Sequence, residues 1–166
     1  MRETPQALFN DDELVVVDQL LIERLKQGAR QAPTRRFRLC LHQSTADLVQ
    51  EMIIVHCRDN YSRPHQHPDT ATSLLVVEGA IAFFLFDADG RVTETIHLGP
   101  PGGRSPCALR LAAKRWHMPV CTSDVVVFYE TMTGPFQRET INVWAPWSPE
   151  EHDAAGIAAY RQQLGI

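Results

Sequence analysis

The chain has 166 residues, a hydrophobic fraction of 44%, a charged fraction of 22% and a formal net charge of -4 at pH 7. That length suits one domain with a sizeable core, and the composition is that of an ordinary soluble globular protein. The acidic balance excludes the basic footprint of a nucleic-acid binder, and no apolar run reaches the ~18 residues of a membrane span. Arg2, Glu3 and Pro5 stand where a secretory leader would need its charged and apolar start, so none is expected. The four cysteines, Cys40, Cys57, Cys107 and Cys121, form no C-x-x-C pair. They read as buried small hydrophobes of a reduced, cytoplasmic protein.

In chain order, the first expected element is an amphipathic helix over about 11–28. Asp11 or Asp12 can cap it, Leu14, Val17, Leu21 and Leu25 share one stripe, and Gly28 can end it. A basic loop follows, with Arg30, Arg35, Arg36 and Arg38 around Pro33, and reads as a solvated connection.

From there to about 144 the pattern changes to short strands, expected at 36–42, 48–58, 73–78, 80–87, 91–98, 107–111, 124–131 and 139–144. Asp87-Ala88-Asp89-Gly90 is a tight reverse turn between two of them. Gly99 to Pro106 carries too much Pro and Gly for anything but a loop. Ala80–Phe86 and Val125–Tyr129 are apolar on both sides, which suits a sandwich or closed barrel whose outer face is covered by another element or subunit. Sheet-to-sheet contacts in a homodimer are therefore expected. Ser148-Pro149-Glu150-Glu151 then combines an N-cap serine, a proline at the first helical position and a capping-box glutamate, opening a second helix over about 149–163. No repeat or long linker divides the chain, so residues 1–166 are expected to form one β-domain flanked by two helices.

The segment Pro64-His65-Gln66-His67-Pro68 carries the chemistry. In extended backbone, residues two apart point to one side with α-carbons ~6.6 Å apart, so two imidazoles can converge on one metal. The prolines keep that backbone extended. Gly79 follows a strand after the pair, and a third histidine stands far downstream in Arg115-Trp116-His117-Met118-Pro119. Together these resemble the two motifs of the cupin family, a His-x-His ending at a glycine and then a distant lone histidine.

The resemblance extends to the WbuC branch of cupins, over roughly residues 12–151. It is carried by Gln50-Glu51-Met52, Tyr61 to His67, Leu75 to Gly79, Phe86 to Gly90, Arg115-Trp116-His117, Glu130, Gly134-Pro135-Phe136 and Ala145-Pro146-Trp147. It implies an all-β cupin double-stranded β-helix, a jelly-roll barrel flanked by N-terminal and C-terminal helices. It also implies a homodimer, and a divalent metal (zinc, iron, nickel or manganese) held in the barrel mouth by His65, His67 and His117. The chain departs from the family pattern at Thr72, where the usual glutamate ligand would stand. Ala112 and Lys114 fill slots usually held by proline and glycine, and Cys121 replaces an asparagine.

Three neutral imidazoles leave the metal's double charge undiminished, which favours an anionic ligand. Asp69, two residues past His67, and Cys121, sharing strand parity with His117, are candidates for a fourth ligand or base. His56 reads first as a core histidine and alternatively as lining the same cavity, as does Thr72. Arg63 and Arg115 each stand two residues before a motif histidine and read either as rim groups that clasp an anion or as surface arginines. No catalytic residue is assigned. The expected function is that of a metal-dependent isomerase, hydrolase or dioxygenase acting on a small polar or anionic metabolite, and the resemblance adds a carbohydrate or surface-polysaccharide setting. The alternative is a non-catalytic module that binds or senses a small ligand through a degenerate metal site.

Overall fold

The computed structural model describes residues 1–166. Its elements in chain order are β1 (Arg2–Thr4), β2 (Ala7–Phe9), α1 (Gln19–Gln31), β3 (Arg36–Cys40), β4 (Val49–Cys57), β5 (His65–Gln66) and β6 (Thr72–Glu78), followed by β7 (Ile81–Phe86), β8 (Val92–Leu98), β9 (Ala108–Leu111), β10 (Trp116–Cys121), β11 (Val125–Thr133), β12 (Val143–Trp144) and α2 (Ala154–Gln163). The pairs β4–β11, β5–β10, β6–β9 and β7–β8 are all antiparallel and nest one within another, as in one long hairpin whose two arms are wound together. Winding places alternate pairs in opposite walls. The strand orders are β1-β2-β3-β4-β11-β6-β9 in one sheet and β12-β5-β10-β7-β8 in the other. This is the all-β, double-stranded β-helix of the cupin type, a jelly-roll barrel.

Strand parity builds the barrel. On β7 the odd residues Ile81, Phe83 and Leu85 meet Leu74, Val76, Val126 and Phe128 of the opposite sheet in the inter-sheet core. The even residues Ala82, Phe84 and Phe86 face outward and are covered by Tyr160 of α2 together with Trp147. The other sheet's outward face, with Phe37, Leu39, Ile53, Val55 and Val127, is covered by Ile22, Leu25 and Ala29 of α1. The two-sided apolar strands thus find their outer cover within the chain. No helix is long and apolar enough to cross a membrane.

Both helices start later than the sequence suggests. The first is not capped by Asp11 or Asp12. Asp18 caps it, its Oδ1 accepting from the Leu21 amide at 2.9 Å. The β-branched run Val15-Val16-Val17 disfavours helix, and Leu14, placed on the buried stripe by the sequence, is 80% exposed. Gly28 does not end this helix. It lies inside, where a Cβ would stand 2.8 Å from Phe37 Cγ, and the helix stops before Pro33. The second helix is capped by Asp153, which accepts from the Gly156 amide at 2.9 Å. Ser148 is occupied elsewhere, donating to the Ala145 carbonyl at 2.9 Å.

Strand β10 is absent from the expected set because Pro119 stands in its middle and proline withdraws a ladder donor. It survives because β5 is short. The two strands pair only at His117 and His65, so Pro119 lies where β10 has an open edge. The strands β1 and β2 were likewise not expected, and of the expected 139–144 only Val143–Trp144 is a strand.

Gly79 turns β6 into β7 with φ +77°, and a Cβ there would run into the Val125 carbonyl oxygen and the Ser123 hydroxyl. Gly79→Ala is therefore expected to lower the free energy of unfolding by about 1–3 kcal/mol, read as a shifted denaturant midpoint. An unchanged midpoint would show that this turn tolerates a side chain.

Candidate metal centre

The register of β5 and β10 sets His65 opposite His117, and His67 follows one residue beyond β5. The ring centroids lie 4.4 Å apart for His65 and His117, 5.0 Å for His65 and His67, and 5.1 Å for His67 and His117. One ring nitrogen from each falls within 4.8 Å of the others. Phe83 stacks on His117 at 5.4 Å and Trp144 meets His65 edge-on at 5.5 Å, so the rings are wedged as well as bonded.

Hydrogen bonds decide what these rings offer. The Nδ1 of His65 lies 2.8 Å from the Arg63 carbonyl, that of His67 2.9 Å from the Ile141 carbonyl, and that of His117 2.8 Å from the Arg115 carbonyl. A carbonyl only accepts, so each Nδ1 carries the proton and each Nε2 keeps its lone pair. Burial pushes all three below the ordinary histidine value: His117 to about 4, His65 well below normal with its two neighbours adding to the effect, and His67 down against the upward pull of the Ile141 carbonyl and the Asn142 side chain. Three neutral imidazoles with free, converging Nε2 atoms are the donor set that a borderline divalent metal takes, and carbonyl-anchored Nδ1 groups are the usual outer support of such ligands. The residues present fit the metal that the fold family implies.

The histidines open on a cavity of about 260 Å³ between the two sheets. Its apolar wall includes Met52, Ile54, Leu74 and Phe128, and its polar lining includes Arg36, Arg38, Arg63, His56 and Glu130. Arg63 is three-quarters buried or more, with Nε donating to Ser148 Oγ at 3.2 Å and Nη1 3.7 Å from Glu150. His56 is buried edge-on against Phe128 at 5.1 Å, and burial, with Arg36 nearby, lowers it to about 3. It is both the core histidine and the cavity wall that the sequence offered as alternatives.

Several candidate residues stand apart from the histidines. Asp69 is exposed and does not join the histidine cluster. Cys121 shares the inward face with His117 but lies four residues along the strand, about 13 Å at the usual rise. Its thiol donates to the Ser123 carbonyl at 3.1 Å. Arg115 is exposed and contributes only its carbonyl to the site. Thr72 is 2% exposed, and its hydroxyl has no hydrogen-bond partner. It shares the buried face of β6 with Leu74 and pairs with Met132 and Leu111, yet it does not line the cavity as Leu74 and Met132 do.

Sequence reasoning gave Glu130 no role. It shares the inward parity of Val126 and Phe128 on β11, and burial pushes its carboxyl up to about 7, against a lowering influence from Arg38. The signal was present, since a lone carboxylate interrupts a strand that is otherwise apolar on that face. Arg38 likewise reads from the sequence as part of a solvated loop, whereas β3 carries it into the cavity lining.

Residues 17–98 match a domain of unknown function (DUF6016). Among curated proteins none matches the sequence. Of solved structures, a protein of Shewanella oneidensis is similar with a TM-score of 0.54 at 13% identity, over 78% of this chain and 82% of that one. A sugar phosphate isomerase from a cupin superfamily, from Silicibacter pomeroyi, is 16% identical over 60% of this chain and 59% of that chain, with a TM-score of 0.49. An RmlC-like cupin protein with a double-stranded β-helix fold, from Methanocaldococcus jannaschii, is 16% identical over 54% and 75%, with a TM-score of 0.43. At 13% identity the likeness to the Shewanella oneidensis protein is one of fold.

The lowered histidines make stability depend on pH. Between the ordinary value of 6.5 and the folded values of about 4 for His117 and about 3 for His56, the unfolded chain binds protons that the folded chain refuses. Their contribution is complete above pH 6.5 and is lost as pH falls, at roughly 1.4 kcal/mol per pH unit for each group inside its window. Glu130, raised from 4.5 to about 7, acts with the opposite sign, its contribution being lost as pH rises through that interval. Metal-free protein is expected to lose denaturant resistance from pH 6.5 towards pH 4 more steeply than His56→Gln does. Identical slopes would show that His56 titrates normally.

Proposed function

We propose that this chain binds one divalent transition metal (zinc, iron, nickel or manganese) on His65, His67 and His117, and that it is a metal-dependent enzyme acting on a small anionic metabolite. The supporting observation is the commitment of every Nδ1 to a backbone carbonyl. It leaves the three Nε2 lone pairs available to a shared ligand, one ring nitrogen of each histidine lying within 4.8 Å of the others. Once bound, the metal would supply Lewis-acid polarisation or an activated water.

The chain's own groups set the ligand class. No carboxylate joins the three histidines, so no ligand from the chain would offset the metal's charge and an oxyanion is the complementary partner. Arg38 and Arg63 line the same cavity and can receive a second anionic group. The reaction classes compatible with such a site are isomerisation, hydrolysis and oxygen chemistry. The family resemblance supports a carbohydrate or surface-polysaccharide setting. A second reading, a binding or sensing module without catalysis, is favoured by Thr72 standing where a ligating glutamate would be expected.

Untagged protein is expected to carry about one equivalent of metal by elemental analysis and to lose thermal stability on chelation. A ligand present at a hundred times its dissociation constant contributes about 2.7 kcal/mol. His117→Ala should weaken metal binding by at least the ten- to hundredfold that follows loss of an outer supporting group. Absence of both stoichiometric metal and metal-dependent stability would refute the metal reading. Metal-loaded protein that binds small carboxylates yet returns every tested compound unchanged would support the binding module instead.

A further inference from the structure

Glu130 is the one carboxylate that lines the cavity, and its position has no structural explanation. It sits in the middle of β11, paired with Met52 on one side and Leu74 on the other, both apolar cavity residues. The histidines stand on β5, just beyond it, and on β10, in the opposite sheet. The carboxyl and the three rings are therefore on facing walls of one chamber. Packed sheets lie about 10 Å apart, so a ligand of a few heavy atoms reaches from one wall to the other.

A partly buried carboxyl set between apolar side chains without a partner is costly to ionise unless it is used. No hydrogen bond holds Glu130, and Arg38 acts on it only at a distance. The charged and titratable groups lining the chamber with it are Arg36, Arg38 and Cys40 from β3, His42 just beyond β3, His56 from β4, Arg63 ahead of β5 and the three histidines opposite. From β6 only Leu74 lines the chamber, the strand's one ionisable residue, Glu78, being paired with Lys26 at its far end. Arg36 is engaged by Glu151 at 3.2 Å, and His56 is held neutral by its burial. No neighbour is placed to take the Glu130 proton, and a ligand entering the chamber is.

We propose that Glu130 is the proton-carrying catalytic group of this chamber, exchanging a proton with a ligand hydroxyl held at the histidine wall. In the forward step the ligand O–H bond breaks and its electron pair stays on the ligand oxygen. The proton forms a new O–H bond on the Glu130 carboxylate. Protonation of product reverses the step, so no oxidant or other co-reactant is consumed. A carboxyl raised towards neutrality is suited to both directions. The proposal rests on the metal reading, since a metal held by the histidines would be what retains the ligand opposite Glu130.

The test uses the full chain labelled with 13C at glutamate carboxyl carbons. In metal-free protein one resonance, missing from Glu130→Gln, is expected to titrate with a midpoint near 7. A midpoint in the ordinary range of about 4.3 would overturn the proposal. In the second arm, zinc-loaded protein is titrated with lactate, a small carboxylate that carries a hydroxyl, by calorimetry in two buffers of different ionisation enthalpy. Lactate binding in the chamber should leave more protons on the wild type than on Glu130→Gln, with zinc stoichiometry equal in both. An equal proton balance in the two proteins, or no lactate binding at all, would overturn it. Glu130→Ala guards against a folding defect peculiar to the glutamine. Failure of the wild type to bind zinc would instead refute the metal reading, and the carboxyl midpoint measured without metal keeps the two failures apart.

Discussion

The antiparallel pairing of His117 with His65 is the constraint from which the rest of the site follows. It is a single register point between a strand of two residues and a strand of six, yet it joins two halves of the wound hairpin. Lys114 donates its amide to the His67 carbonyl at 2.8 Å and Ala145 donates to the Pro64 carbonyl at 2.9 Å, so the short strand is pinned at both ends. With the backbone fixed, the carbonyls of Arg63, Arg115 and Ile141 become rigid acceptors, and each ring has one orientation that satisfies its Nδ1. A one-residue slip of β10 would turn His117 out of the barrel and bring Trp116 or Met118 in. The hydrophobic pattern of β10, with Met118 and Val120 against α2, resists that slip.

Much of the architecture is legible in the sequence because strand alternation is a local signal. The two-sided apolar run at Ala80–Phe86 announced a strand covered on both faces, and the structure supplies the outer cover with α2. Two signals misled. Asp11 and Asp12 look like caps as good as Asp18, and only the reluctance of three consecutive valines to enter a helix separates them. Pro119 hides β10 because proline opposes a ladder, and only the shortness of the neighbouring strand, a tertiary fact, relieves that objection.

The site was legible to the same degree and failed for related reasons. That His65, His67 and His117 converge could be anticipated from extended backbone and motif spacing, and their rings do meet. Parity, however, reports which wall a residue faces and says nothing of its depth along the barrel. Cys121 has the parity of His117 and lies in the packed core instead. Asp69 fails because the strand ends at Gln66, so the period-two rule no longer carries it to the histidines. Glu130 is the converse case, a residue whose inward parity was readable and whose importance emerges only when Met52 and Leu74 close around it.

The interior is graded along the barrel. The end holding Val76, Ile81, Leu98, Cys121 and Val126 is apolar and packed, while the end holding the histidines and Glu130 is left open as a cavity. A cavity lined by ionisable groups would be costly if those groups carried charge, because each charge would be removed from water without a partner. Here the charge is absent from the interior until it is needed. The histidines are neutral and anchored, His56 is neutral, and Glu130 holds or releases its proton near neutrality. The charges that persist belong to arginines: Arg36 meets Glu151 at 3.2 Å, Arg63 approaches Glu150 at 3.7 Å, and Arg38 lines the cavity beside Glu130 without an ion pair. On the reading proposed above, a cation held at the histidine wall would face three lone pairs, with the guanidinium groups of Arg36, Arg38 and Arg63 elsewhere in the lining. An anion bound there would meet that cation, and a carboxyl across the chamber would accommodate it by taking up a proton. Use of that kind would offset the cost of placing an unpaired glutamate in the cavity wall.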